Sequence, residues 1–432
     1  MKKSDYYQMI NKIKATDTLK NNIIEKMKDE VRKDKLEVTK RKKNQRYKVW
    51  IPVTAALGII LILLFWQSKR NNVFNNNVIE NTPNNNEVES NPNNNTEVAA
   101  NLPKLRISNE VGGMGFEGYM AYSIDELENG NPWAVDSDIK TLPVFKNKSP
   151  LVSGYPLVNL SADEMIEKAK EIATLMKINI NEIYTSPTKE QLEAYENKSG
   201  EKQDDTPYEA IALGDGVTIN VGTSGDIRIM FEPGIELPSE FNFTFTDTTK
   251  EEAKEVLSYL TKKYSNLINM KVPTEKLSGH YTFDGDQMYN YDIYESEGDL
   301  TSKILNYNFN NVSFAPNDDG ELWIIDIDKK DITEKLGDYP IITVDQAKKL
   351  LLEGNYITTA PENVSDEKLI ESVELIYRTG AYDEVFMPYY KFLVELTSEK
   401  QSNGLKTFGA FYVPAVEGKY IENMPKWEGQ FN

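Results

Sequence analysis

Few residues in this chain could do covalent chemistry. Its 432 residues include no Cys, which excludes thiol catalysis, thiolate metal sites, disulfides and a lipid anchor on cysteine. The one His, His280, sits in Ser278-Gly279-His280-Tyr281 beside a strand-like run and has no recognisable nucleophile partner. It reads as a structural or exposed histidine. Two acidic turns, Asp284-Gly285-Asp286 and Asn317-Asp318-Asp319-Gly320, suggest calcium at first sight. Neither continues into the alternating acidic loop with a distal Glu that an EF-hand needs, so both read better as tight turns. Gly112-Gly113-Met114-Gly115 is not followed by the Lys-Ser/Thr of a phosphate-binding loop and reads as a loop or bulge. No catalytic, cofactor-binding or metal-ligating residue is assigned, no cofactor is expected, and the chain is expected not to be an enzyme. Aromatics offer more. Among 24 Tyr, Tyr289 and Tyr291 share a strand face by the period of two. They form the candidate binding surface for a peptide or glycan, although half-buried sheet packing is the commoner use of such residues.

Charge divides the chain. Residues 1–48 carry 16 Lys/Arg and 7 Asp/Glu, a balance of +9. Residues 71–432 carry 31 and 61, a balance of -30, and the whole chain stands at -19. The acidic bulk excludes a nucleic-acid partner, which would require a basic face.

Between these parts lies Val49–Trp66, 18 residues without a charge. As a helix it would extend ~27 Å, close to the ~30 Å hydrocarbon core of a bilayer. Tyr47, Trp50 and Trp66 occupy interfacial positions, and Arg41, Lys42, Lys43, Arg46 and Lys48 outweigh Lys69 and Arg70 across the segment. The positive-inside rule then predicts a single-pass plasma-membrane protein with a cytoplasmic N-terminus and an extracellular C-terminal region. The expected organisation is a basic cytoplasmic helical head (1–48), a transmembrane helix (49–66) and an Asn-rich disordered linker (67–101). Three extracellular α+β units follow (102–246, 247–338 and 339–432). Asn supplies 14 of the 31 residues in 71–101, a composition that cannot bury enough apolar surface to order itself.

In the head, Leu19, Ile23 and Met27 form an i, i+4 row, the candidate cytoplasmic partner-binding face. The stretch Asp5–Met27, followed by basic residues and one apolar segment, resembles the head of single-pass anti-sigma-factor-like proteins of Firmicutes, in a variant without the His/Cys zinc motif. That resemblance implies a sigma factor as cytoplasmic partner; a sensor kinase is the partner class implied by the resemblance of the outer region beyond Leu102.

Beyond Leu102, three helices announce themselves by capping boxes: Ser161 with Glu164, Thr249 with Glu252, and Thr343 with Gln346. Strand-like runs follow each. They are Glu209–Leu213, Val217–Val221 and Asp226–Phe231; then Tyr289–Glu295, Ile304–Phe314 and Glu321–Asp328; then Leu369–Tyr377, Tyr389–Leu396 and Lys406–Val413. The expected fold class is α+β, a helix plus antiparallel sheet used about three times, with Thr141–Phe145 added to the first sheet. Thr249–Leu257, Thr343–Leu351, Asp318–Ile327 and Met387–Val416 resemble PepSY-like domains and the outer domains of Gram-positive regulators. The resemblance implies a regulatory or binding module without catalysis, taking an extracellular peptide or cell-wall ligand. The alternative is a surface binding or structural module without signalling output; an enzyme such as a peptidoglycan hydrolase is the third reading.

Overall fold

The computed structural model describes residues 102–429, apart from 109–115, 128–130, 132, 134, 136–137, 153–154, 201 and 247. Strands β1 (Gly118–Ala121) and β2 (Thr141–Lys146) and a short hairpin, β3 (Leu151–Val152) with β4 (Tyr155–Pro156), precede helix α1 (Ala162–Met176). Strand β5 (Glu182–Ser186) leads into α2 (Lys189–Ser199), followed by β6 (Glu209–Gly214), β7 (Val217–Gly222) and β8 (Ile227–Ile235). Next come α3 (Lys250–Lys263), the single turn α4 (Ser265–Ile268), β9 (Pro273–Tyr281), β10 (Gln287–Glu295) and α5 (Leu300–Phe309). Strands β11 (Asn310–Pro316), β12 (Leu322–Lys329) and β13 (Lys335–Pro340) run up to α6 (Val344–Leu352). The chain closes with β14 (Ile357–Thr358), β15 (Ile370–Tyr377), β16 (Val385–Phe386), β17 (Pro388–Glu395) and β18 (Lys406–Pro414).

Local chemistry sets the helix starts. Ser161, Thr249 and Thr343 each accept a hydrogen bond from the backbone N–H three residues on, and Glu164, Glu252 and Gln346 accept one in return from the cap residue's N–H. Each reciprocal pair satisfies two N–H groups that the first helical turn would leave unpaired. Apolar residues then recur at helical spacing. Met165, Ala169, Ile172 and Ala173 are buried on α1, and Ala253, Val256, Leu257 and Leu260 on α3.

These two helices cover one face of a single eight-stranded antiparallel sheet, ordered β5-β6-β7-β8-β12-β11-β10-β9. The sheet consists of two four-stranded meanders joined through their last strands. At that seam Ile229 lies opposite Ile325 and Ile227 opposite Ile327, all within the core under the helices. The other face carries a polar row. Lys276, Asp292, Ser313, Asp326, Arg228 and Asn220 lie opposite one another in turn from β9 to β7. A strand alternates its side chains, so one register fixes both the apolar and the polar row.

The second sheet runs β1-β18-β17-β15, with β14 paired to β18 as well. Strands β17 and β18 are buried along nearly their whole length. A third sheet, β13-β2-β16, completes the structure near β17.

Several expectations are corrected. Three separate helix-plus-sheet units do not form. The strands expected in 102–246 and 247–338 fuse into one sheet because β8 pairs with β12, with Ile229 and Ile227 against Ile325 and Ile327 on one face and the Arg228–Asp326 ion pair on the other. The β2 segment joins β13 and β16 rather than the first sheet, and β1 joins β18. The described region is thus dominated by large antiparallel sheets, and repeated PepSY-like units are not seen. Residues 304–309 are helix rather than strand: Asp299 caps α5, and Ile304 and Tyr307 are buried on it. Helix α2, with its own Thr188/Gln191 capping box, was not anticipated. Both acidic turns close β-hairpins. Gly285 and Gly320 adopt φ of 95° and 76°, the left-handed region that glycine enters most cheaply.

Among the described residues no helix is long and apolar enough to cross a membrane. The single-pass plasma-membrane placement, with its cytoplasmic and extracellular halves, is therefore set aside. The segment Val49–Trp66, the linker 67–101 and the basic head lie outside the described residues.

The fused sheet has a thermodynamic signature. Ile229→Ala and Ile325→Ala are each expected to cost about 2–5 kcal/mol in denaturant unfolding. Because the two residues face each other across the seam, the double variant should depart from additivity by about 0.5 kcal/mol or more. Strict additivity would mean that β8 and β12 do not share a sheet.

Candidate functional site

Strand β17 reads Pro-Tyr-Tyr-Lys-Phe-Leu-Val-Glu, and its lysine, Lys391, falls in the middle of an otherwise apolar strand. An ammonium there cannot keep its water and must find partners. Its Nζ donates to the Tyr119 hydroxyl at 3.0 Å, lies 3.5 Å from Glu117 Oε1 and sits 4.6 Å from the centre of the Tyr119 ring. The Glu117 carboxylate in turn accepts from the Tyr412 hydroxyl, at 2.6 and 2.8 Å to its two oxygens, and from the Tyr119 hydroxyl at 2.9 Å. Burial alone would lower the Lys391 pKa. The surrounding tyrosines and carboxylates outweigh it and hold the ammonium protonated well above the ordinary lysine range.

Directly opposite Lys391, on the edge strand β15, is Glu374. It is 8% exposed, and it makes no hydrogen bond and no ion pair within 4 Å among the described residues. Burial raises its pKa; Lys391 and Lys276 moderate the rise from longer range, and Glu117 adds to it. Lys276 is occupied elsewhere. Its Nζ donates to the Tyr307 carbonyl at 3.1 Å and to Asn311 Oδ1 at 3.3 Å, and lies 4.0 Å from the centre of the Tyr307 ring.

Glu374 forms part of the wall of a cavity of about 360 Å³. Strand β15 contributes Glu371, Ser372 and Val373 beside it, and β17 contributes Leu393. A 3-10 turn, Ile124–Leu127, adds Ile124, Asp125 and Leu127, and the stretch after it adds Asn131, Trp133 and Val135. Two of these wall residues carry polar atoms without partners among the described residues. The Trp133 ring, 9% exposed, stands edge-to-face on Tyr307 at 5.1 Å, and its Nε1 has no acceptor. Asn131 donates through Nδ2 to the Leu375 carbonyl at 2.9 Å, while its Oδ1 receives nothing. Buried polar groups are nearly always paired, so two such atoms beside a carboxylate without a hydrogen bond among the described residues single the cavity out.

Chemically the wall combines an acceptor-only carboxylate, an amide oxygen, an indole N–H and an apolar lining. That set suits capture of a ligand. The lysine beside it is held protonated and is no nucleophile.

Other residues singled out in the sequence lie elsewhere. Tyr289 and Tyr291 are 6% and 1% exposed, and Tyr291 stands edge-to-face on Phe243 at 4.8 Å. Both point under the helices into the core, so β10 presents no tyrosine surface there. The period of two was right, but the shared face is the covered one. His280 lies opposite Met288, half-buried, with its pKa lowered by burial. Leu19, Ile23 and Met27 lie outside the described residues. The cavity residues went unnoticed, although a neighbour left a trace: Lys391 is a charge in the middle of a run otherwise apolar enough for a buried strand.

No protein-family model matches the chain, and no curated protein matches it.

Glu374 has a consequence for stability. Its carboxyl titrates higher in the folded chain than in the unfolded one. Its contribution to folding is therefore complete below the ordinary carboxylate range, about 4.3 for Glu. That contribution is lost as pH rises through the raised folded value. Glu374→Gln should accordingly stabilise the protein at neutral pH, by about 1–3 kcal/mol, the usual cost of an unsatisfied buried polar group. The gain should shrink on acidification. Thermal unfolding of both proteins across pH 4 to 8 checks this; a destabilised variant at neutral pH would show that the carboxylate has a partner.

Proposed function

We propose that this chain is a non-catalytic regulatory protein. Its sheet region captures a ligand in the cavity beside Glu374, and its basic N-terminal segment, residues 1–48, conveys occupancy to a partner protein. The observation that carries the reading is the cavity itself, with the Glu374 carboxylate at its wall beside an indole N–H and an amide oxygen that have no partner among the described residues. Groups left unpaired in a pocket are costly unless something supplies the missing bonds, and ligand capture does so. The charge division of the chain supports an output separate from the acidic sheet region. The resemblance of Asp5–Met27 to anti-sigma-like heads makes a sigma factor the first partner class, and that of the sheet region to outer domains of Gram-positive regulators makes a sensor kinase the second.

Affinity purification of the tagged full chain from its native cells, followed by mass spectrometry, tests the output. The expected result is recovery of a sigma factor or sensor kinase. Ile23→Asp should reduce that recovery at least severalfold, since burying one such side chain contributes about 1.5–3 kcal/mol to a complex. Unchanged recovery with Ile23→Asp would remove the row Leu19, Ile23 and Met27 from the interface. Turnover of a small substrate by the purified chain would contradict the non-catalytic reading.

A further inference from the structure

We infer that the cavity takes an organic cation, a guanidinium or primary ammonium carried on a short uncharged stem. The inference rests on reading this cavity as the ligand site and goes beyond it by assigning the ligand's chemistry.

The charges at the wall are of one sign. Glu374, Glu371 and Asp125 line the cavity, and among the described residues no Lys, Arg or His does. Both neighbouring ammonium groups are already spent, Lys391 on Glu117 and the Tyr119 hydroxyl, Lys276 on the Tyr307 carbonyl and Asn311. The two polar side chains closest to saturation elsewhere are thus unavailable to Glu374, and the local field favours a positive guest. An anion would meet three carboxylates. A neutral apolar guest would strip the remaining water from Glu374 and return no bond, which is costly for a charged group.

Hydrogen bonding narrows the choice. Ionised Glu374 only accepts, and the unpartnered atom of Asn131 is its acceptor Oδ1, one N–H of its Nδ2 being committed to the Leu375 carbonyl. The two unmet acceptors, the Glu374 carboxylate and Asn131 Oδ1, ask for N–H donors. A guanidinium has five and an ammonium three, and neither has an acceptor to waste on a carboxylate. The remaining group, Trp133 Nε1, is a donor, which suits a carbonyl on the stem. Leu127, Val373 and Leu393 provide apolar surface for the stem's methylenes. The cavity, about 360 Å³, is at the small end of the usual ~300–1,000 Å³ range for ligand pockets. It has room for one basic side chain or a small amine. The same head group is found on a basic peptide side chain and on a free amine.

Isothermal titration of the full chain at neutral pH and low salt distinguishes these. The probes are N-acetyl-arginine methylamide, agmatine, and the neutral isostere N-acetyl-citrulline methylamide. The expected result is binding of a cationic probe, with the citrulline probe weaker by roughly tenfold or more. Tighter binding of the arginine amide identifies a peptide source; tighter binding of agmatine identifies a free amine. Glu374→Gln should erase the preference for charge while retaining the circular dichroism spectrum and the weak citrulline binding. Glu371→Gln, at an exposed position, should reduce the preference partially. Equal affinity for the arginine and citrulline probes would overturn the cation assignment and leave the cavity standing as a ligand site. Binding that persists unchanged in Val373→Trp, which fills the cavity, would place the probe elsewhere and overturn the assignment and the cavity reading together. Absence of binding by both cationic probes would overturn the inference.

Discussion

Lys391 sits at the centre of a strand buried on both sides, and much of the C-terminal sheet is arranged around the need to compensate it. Glu117 provides the opposite charge at 3.5 Å, and the Tyr119 and Tyr412 hydroxyls complete the shell. Glu117 and Tyr119 come from the N-terminal end of the sheet region, nearly three hundred residues away in sequence. Strand β1 is held against β18 by a register that places Tyr119 opposite Phe408. The long-range closure of the sheet and the neutralisation of its buried lysine are thus one event. Glu117 uses its oxygens on Lys391 and the two tyrosines, and Glu374, opposite the same lysine, is left over.

A second buried pair, in the connection that leaves β15, shows how strongly burial acts here. Asp383 is 4% exposed, with the Arg378 guanidinium 3.6 Å away and the Gly380 N–H donating to it at 2.8 Å. Even so, burial pushes its pKa up to about 6, against the pull of Arg378 and the Gly380 bond. Desolvation outweighs an adjacent cation in this environment. Glu374, equally deep and without a cation in contact, is in the less favourable position of the two. Asp331 lies at the other extreme, on the periphery. Its modest burial opposes ionisation, but hydrogen bonds from Thr333, Lys148 and Asn159 prevail and hold its carboxyl well below the usual range. Donors converge on the peripheral Asp331, and beside the buried Glu374 they do not.

The sequence revealed local structure better than long-range pairing. Capping boxes at Ser161, Thr249 and Thr343 are contiguous signals, and each one starts a helix. The hairpin at Asn317–Gly320 is likewise encoded within a few residues. Strand partners are not encoded that way. Alternation in β8 and β12 defines which side chains are buried but not which strand lies alongside, so nothing in Asp226–Phe231 pointed to a partner near residue 325. Residues 304–309 were misread because Ile304 and Tyr307 suit a strand's composition, while the cap that makes them helical, Asp299, lies upstream. Tyr289 and Tyr291 share a face as their spacing requires, but which face is covered depends on α3 packing over β10. The cavity was out of reach for the same reason: its wall joins residues near 125, 133, 374 and 393, and only the folded sheet brings them together. A lone charge within an apolar strand was the one legible trace.

The account depends on Glu374 being a buried carboxylate without a partner. Carbon-13 NMR titration of its side-chain carboxyl in the intact, ligand-free chain measures this most directly. The account requires a midpoint clearly above the ordinary glutamate range of about 4.3, set by burial and only partly offset by Lys391 and Lys276. A midpoint at or below that range would show that a cation or several donors already hold the carboxylate, and would contradict the claim that the cavity wall carries an unmet charge.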